Sequence, residues 1–259
     1  MIDSFITLKR CARRVRNRTT LLFFRLCESQ REKFECPVCG YKGPFMDFAA
    51  STGVRKHAKC PKCGALERHR LQFLVVNDVL GKINTARLKM LHFAPEPFFR
   101  KFFSKRFDHY ERADLRMKGV DHHVDLQQLP FDDATYDFVF ASHVLEHIPD
   151  DEKAICEICR ILKPNGIAIL PIPIIVEKTV EYPQPNRYGH HHVRAPGTDY
   201  FQKYERHFSR VERFSSDSLP GKYQLFIYED RSRWTTKKCP LRPSTQGEKH
   251  IDIVPVCYV

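Results

Sequence analysis

Two short apolar runs flank one amphipathic stretch in the middle of the chain, and this pattern is the clearest structural signal in the sequence. Tyr136–Ala141 (YDFVFA) is aromatic and β-branched and too short for a helix, which predicts a buried strand. Ala154, Ile155, Ile158, Ile161 and Leu162 then recur at helical spacing. Pro149 and Asp150-Asp151-Glu152 place a start signal and negative charge at the amino end of that helix, and Arg160 and Lys163 lie in its last turn. Pro164-Asn165-Gly166 ends it, and Ile167–Leu170 predicts a second buried strand. A strand–helix–strand unit of this length crosses over to a parallel neighbour. The expected host is an α/β fold with an open, doubly wound, mostly parallel sheet.

Further elements extend this frame. Leu88–Phe93 (LKMLHF) predicts the first strand of the sheet and Tyr110–Leu115 (YERADL) the second. Ala65–Leu80 has helical periodicity and is expected to dock what precedes it onto the main domain. Glu181–Tyr204 is a proline- and histidine-rich loop running into a short helix, and Tyr223–Glu229 and Ile251–Val259 read as late strands. Cys156 and Cys159 fall among the isoleucines of the central helix and are expected as buried free cysteines. The resulting division is a basic amphipathic segment over 1–33, a small cysteine module over 34–66, the α/β domain over 67–230, and a loop with the final strand of the sheet over 231–259.

Charge adds a possible partner surface. The 259 residues carry a formal charge of +12, and residues 1–80 hold 16 basic against 7 acidic side chains. Arg10, Arg13, Arg14, Arg16 and Arg18 precede the apolar patch Leu21–Phe24. This mixture suits a helix on an anionic membrane surface, a helix on RNA, or a helix packed on the body of the protein. No run reaches the 18–20 apolar residues of a spanning helix, and the amino end lacks the pattern of a secretion signal. The expected location is cytoplasmic, with peripheral membrane contact through residues 1–30 as an option.

Ten cysteines in a reducing compartment point to metal ligation before disulfides. Cys36-Pro-Val-Cys39-Gly40 and Cys60-Pro-Lys-Cys63-Gly64 are two CPxCG knuckles about twenty residues apart. Each supplies two thiolates from a tight turn, so Cys36, Cys39, Cys60 and Cys63 form the closed four-sulfur set of a structural zinc ribbon. A closed set has no open coordination position, so its role is scaffolding or recognition.

The ordered text LPF-DD…YDFVFASHVLEHIPD…ICRILKPNGIAIL resembles the second half of a class I S-adenosylmethionine-dependent methyltransferase of the type 11 group. The second knuckle followed by ALERHR and later by LHFAPE is similar to a subgroup with an amino-terminal zinc ribbon, extending the resemblance to roughly residues 34–208. The resemblance implies S-adenosylmethionine as cofactor. His92, Ala94 and Glu96 would stand at the cofactor loop, Asp114 at the ribose, Asp125 and Leu126 at the adenine, and Ser142 beside them. His143 would meet the methyl acceptor and take its proton, and His191, His192, Arg194 and Tyr200 would line the acceptor side. One departure stands out: the family's glycine-rich turn is replaced here by Ala94-Pro95-Glu96-Pro97.

Methyl transfer to an oxygen or nitrogen of a small-molecule or glycan-precursor acceptor is the function this resemblance implies, because members of the subgroup often lie among bacterial surface-glycan genes. Two alternatives stay open. One is an RNA methyltransferase gripping phosphates with the ribbon and basic amino end. The other is a non-enzymatic zinc-ribbon module on a degenerate methyltransferase fold. Adjacent histidines rarely converge on one ion, so His190-His191-His192 alone argues weakly for a metal, and Trp234 either stacks on a substrate or packs.

Overall fold

The computed structural model describes residues 24, 26–50, 53–174, 176–186, 190–230, 232 and 247–259. Most of the basic segment over 1–33 and the loop carrying Trp234 lie outside these residues. In chain order the cysteine module contributes β1 (Phe34–Glu35), β2 (Lys42–Gly43), β3 (Met46–Ala50) and β4 (Gly53–Lys59). Helix α1 (Glu67–Gly81) leads into β5 (Lys89–Phe93), α2 (Pro97–Phe103), β6 (His109–Asp114), β7 (His122–His123) and β8 (Tyr136–Ala141). A 3-10 turn (Leu145–His147) precedes α3 (Asp151–Ile161) and β9 (Leu162–Ile169). Then follow β10 (Val180–Asn186), β11 (His192–Ala195), α4 (Phe201–Glu205), β12 (Arg210–Ser215), β13 (Ile227–Asp230), β14 (Glu248–His250) and β15 (Ile253–Tyr258).

The main sheet runs β7-β6-β5-β8-β9-β15-β12. From β7 to β9 every pairing is parallel, whereas β15 is antiparallel to both β9 and β12. This is a Rossmann-like α/β arrangement, and the strand order reverses between β5 and β8. Alternation along the strands explains why both faces need cover. Leu91, Phe93, Val139, Ala141 and Ala168 pack into one core with Ile155 and Ile158 of α3. Met90, Phe138, Phe140 and Ile169 pack into the other with Leu71 and Val75 of α1 and Phe99 and Phe103 of α2.

Strand β8 and helix α3 match their sequence signals, and Asp150 caps α3 by accepting from the Lys153 amide at 3.0 Å. Strand β9 begins earlier than its apolar run. Tyr136 pairs with Leu162 and Phe138 with Ile167, so Pro164-Asn165-Gly166 forms a bulge inside the strand. Cys156 is exposed rather than buried, because α3 turns Ala154, Ile155, Ile158 and Ile161 inward and Cys156 away from them.

The late strands divide differently from expectation. β15 joins the main sheet, but β13 pairs with β4, giving a second sheet β14-β13-β4-β3. Residues 227–230 and 248–250 therefore extend the sheet of the cysteine module and not the main sheet. Arg70 of α1 secures this junction from a fully buried position. It donates to the carbonyls of Ala58 (2.8 Å), Ala65 (2.9 Å), Tyr223 (2.9 Å) and Gln224, and its guanidinium lies 4.5 Å from the centre of the Phe45 ring. Burial lowers its pKa to about 10, so it stays charged at neutral pH. Glu67, also fully buried, accepts from Arg55 of β4 at 2.7 Å.

Candidate active site

In open α/β sheets, ligands bind outside the carboxyl ends of the strands where the order reverses. Phe93 pairs with Ala141 there, so the turns starting at Ala94 and Ser142 stand side by side. Ala94 has φ 45° and His143 has φ 54°, both in the left-handed region. Each non-glycine residue held there costs about 1–2 kcal/mol, a strain that persists where the surroundings impose it. The Ala94 amide is anchored on the Ala113 carbonyl at 3.0 Å, and the His143 amide on Pro171 at 2.8 Å.

Glu96 is clasped from outside the sheet. Its Oε1 accepts from Arg68 Nη2 at 2.9 Å and lies 3.3 Å from His69 Nε2. Its Oε2 is buried and has no hydrogen-bond partner among the described residues. Burial alone would raise the Glu96 pKa, but His69 and Arg68 outweigh it and hold the carboxyl down at about 2. One turn further along α1, the Ser142 hydroxyl donates to Gln72 Oε1 at 3.1 Å, while the buried Gln72 Nε2 lacks a partner among the described residues. An orphaned acceptor on Glu96 and an orphaned donor on Gln72 thus border the switch point. They are complementary to an amino acid's ammonium and carboxylate, so the residues present fit the methionine end of S-adenosylmethionine.

Arg68, His69 and Gln72 are site residues that the sequence reading did not assign. The available signal was a cluster of polar side chains at the start of an otherwise apolar helix. His92, expected at the cofactor loop, occupies the core instead. It is 1% exposed, its Nδ1 lies 2.8 Å from the Tyr110 hydroxyl, and its ring meets Phe103 and Phe140 edge-on. Burial pushes its pKa down to about 3, so it is neutral.

Asp114 ends β6, and its Oδ1 accepts from the amides of Arg116 and Met117, both at 2.7 Å. Asp125 is exposed and takes the Gln127 amide at 2.9 Å, with the Gln127 side chain on both carboxylate oxygens. Leu126 is buried in the core beneath it.

The acceptor-side residues separate into two groups. Arg194 is 2% exposed, and four of its five N–H groups donate to Glu181 and to the carbonyls of Leu145, Ile148 and Pro149. Tyr200 is buried and donates to Asp151 at 2.5 Å. Both are packed against the start of α3, where the sequence led one to expect side chains open to an acceptor. His191 is exposed, whereas β11 turns His192 inward against the 3-10 turn, with its ring centre 4.7 Å from that of His147. His143 Nδ1 lies 3.3 Å from Glu146 Oε1.

In the ribbon, the two knuckles repeat one geometry. Gly40 and Gly64 adopt φ 68° and 80°, and their amides donate to Cys36 and Cys60 at 2.9 and 2.8 Å. Left-handed backbone at these positions favours glycine. Cys36 Sγ and Cys63 Sγ stand 3.6 Å apart, Cys39 Sγ and Cys60 Sγ 3.7 Å. A tetrahedral ion with Zn–S bonds of about 2.3 Å requires sulfur separations of about 3.8 Å, so the donor set and its spacing fit zinc.

Residues 103–170 match the family model described as a methyltransferase domain. The chain is 39% identical over 64 residues to the sterol 4-C-methyltransferase strm-1 of Caenorhabditis elegans, covering 25% of this chain and 18% of that protein. It is 31% identical over 80 residues to the 27-O-demethylrifamycin SV methyltransferase of Amycolatopsis mediterranei, covering 29% of each. A solved S-adenosylmethionine-dependent methyltransferase from Mesorhizobium loti aligns at 12% identity and a TM-score of 0.47, over 73% of this chain and all of that one. The chain therefore spans less than a third of the length of these curated relatives. Taken together, the molecule has a Rossmann-like α/β fold containing a segment of methyltransferase-domain sequence. Among the described residues no helix is long and apolar enough to cross a membrane.

Proposed function

We propose that this protein transfers the methyl group of S-adenosylmethionine to an oxygen, or a nitrogen, of a small hydroxylated acceptor of the glycan-precursor kind. The observation that carries this reading is the pair of orphaned buried groups, Glu96 Oε2 and Gln72 Nε2, at the switch point of a sheet whose segment 103–170 matches a methyltransferase domain. Glu96 and Gln72 would hold the methionine end, the left-handed Ala94 turn would let the backbone approach it, and Asp114 and Asp125 would serve the nucleoside. When bound, S-adenosylmethionine supplies a methyl group already activated on a sulfonium sulfur. The protein's main tasks are then to align the acceptor and exclude water.

His143 performs the remaining chemistry in this reading. Glu146, held at 3.3 Å from its Nδ1, orients the imidazole so that the other ring nitrogen can accept the proton an acceptor hydroxyl or amine loses. The acceptors named for the relatives differ, a sterol carbon in one and a rifamycin oxygen in the other. A histidine base fits heteroatom acceptors, whose proton must leave. The four cysteines hold a structural zinc ion that fixes the ribbon to α1, and the enzyme works in the cytoplasm.

A crystal structure with S-adenosylhomocysteine tests this reading. The ligand is expected at the Ala94 and Ser142 turns with its amino group on Glu96. A ligand placed elsewhere overturns it.

A further inference from the structure

Beyond the ribbon, one other cluster of ligating side chains converges in the described structure. Glu146, His147 and His192 each bring a donor atom within 4.8 Å of the others. Glu146 and His147 belong to the 3-10 turn after β8, while His192 arrives from β11 across the hairpin with β10. Glu146 is fully buried, yet neither of its oxygens has a hydrogen-bond partner among the described residues. The nearest titratable side chains to it are His143 at 3.3 Å and His192 at 4.0 Å. A buried carboxylate left without hydrogen bonds is costly, and such groups are ordinarily paired or bound to metal.

The imidazoles are suited to ligation as they stand. The two rings stand edge-on with centres 4.7 Å apart, and the unprotonated nitrogen of an imidazole offers a lone pair to a metal. Two imidazoles and one carboxylate form a set that selects a divalent first-row transition ion and leaves coordination positions open. An open position on such an ion acidifies a bound oxygen, and a closed four-sulfur site cannot do this.

We propose that Glu146, His147 and His192 form a second metal site, distinct from the ribbon, which binds a divalent transition ion next to His143 and receives the acceptor through its hydroxyl oxygens. The site favours acceptors that present two adjacent hydroxyls, because these can chelate one ion. This rests on the methyl-transfer reading above and narrows its acceptor class. His143 and His192 both face Glu146 Oε1, at 3.3 and 4.0 Å, so the ion would share this carboxylate with His143.

Cobalt(II) titration of metal-stripped full-length protein, with metal content measured in parallel, tests the proposal. Wild type should take up two equivalents. One should show the intense sulfur-to-metal charge-transfer band of the ribbon, and the other only the weak d–d bands of a nitrogen–oxygen site. Glu146→Gln and His192→Ala should each lose the second equivalent and keep the first, and His191→Ala should keep both. A single equivalent in folded wild type, or two retained in both Glu146→Gln and His192→Ala, overturns the proposal. S-adenosylhomocysteine binding measured on the same samples separates the two readings. If it binds while the second metal does not, the metal site alone fails. If the second metal binds while it does not, the methyl-transfer reading fails and the site stands.

Discussion

Ala94 and His143 adopt the same left-handed backbone, φ 45° and 54°, at the carboxyl ends of the adjacent parallel strands β5 and β8. Few residues tolerate this conformation, and here two of them flank the point where the sheet order reverses. At the first the chain carries alanine, where glycine would adopt the same backbone without strain, so the strain is borne locally.

Relieving that strain gives the first prediction. Ala94→Gly should leave stability unchanged or raise it by up to about 1 kcal/mol, since the gain from removing Cβ is offset by added freedom in the unfolded chain. Ala94→Val should destabilise, because a β-branched residue fits the left-handed region worst. Thermal unfolding should show a lower midpoint for Ala94→Val and no loss for Ala94→Gly.

Arg70 should be indispensable to the joint between ribbon and sheet. Removing it takes a donor from the carbonyls of Ala58, Ala65, Tyr223 and Gln224, of which Ala65 keeps the Cys60 amide, so Arg70→Ala should cost about 3 kcal/mol. Arg70→Lys should recover little, because an ammonium cannot reach all four acceptors in the plane of the fork. Urea unfolding at neutral pH measures both.

His92 makes an acid-stability prediction. Its folded pKa of about 3 lies below the ordinary 6.5, so the unfolded state takes up a proton that the folded state refuses. Its stability contribution is complete above pH 6.5 and falls as pH drops through the window from 6.5 to 3, at up to about 1.4 kcal/mol per pH unit. His92→Phe suits the aromatic layer and should flatten that slope in urea unfolding at pH 7 and pH 4.5. Its affinity for S-adenosylhomocysteine should match wild type, because the ring faces Phe103 and Phe140 instead of the crevice.

Zinc removal should act on both ends of the chain. β13 pairs with β4, so losing the ion through Cys36→Ser or a chelator should loosen residues 227–230 along with the ribbon. Hydrogen exchange is expected to show faster exchange in β4 and β13 and little change in β8 or β9.

Locally encoded features were readable in the sequence. Tyr136–Ala141, the α3 stripe and the two knuckles each carry their signal within a few residues, by periodicity or by spacing. Features that depend on distant partners were not. Nothing near Tyr228 indicates that it will pair with Lys56, and nothing near His192 indicates Glu146. Arg194 and Tyr200 read as acceptor residues because the resemblance puts the acceptor side in this stretch. Only the fold reveals that Asp151 and the carbonyls after Leu145 already occupy them. His92 misleads for a related reason, since the resemblance puts it at the cofactor end of its strand but the strand turns its ring into the core.

The central claim, a cofactor site at the switch point, is tested most directly by calorimetry of S-adenosylhomocysteine with zinc-loaded protein. Wild type should bind one equivalent, and Glu96→Gln, which weakens the carboxylate's hold on an ammonium, should lower affinity by about tenfold or more, roughly 1.4 kcal/mol. Absence of binding by folded, zinc-loaded wild type, or unchanged affinity in Glu96→Gln, would contradict it.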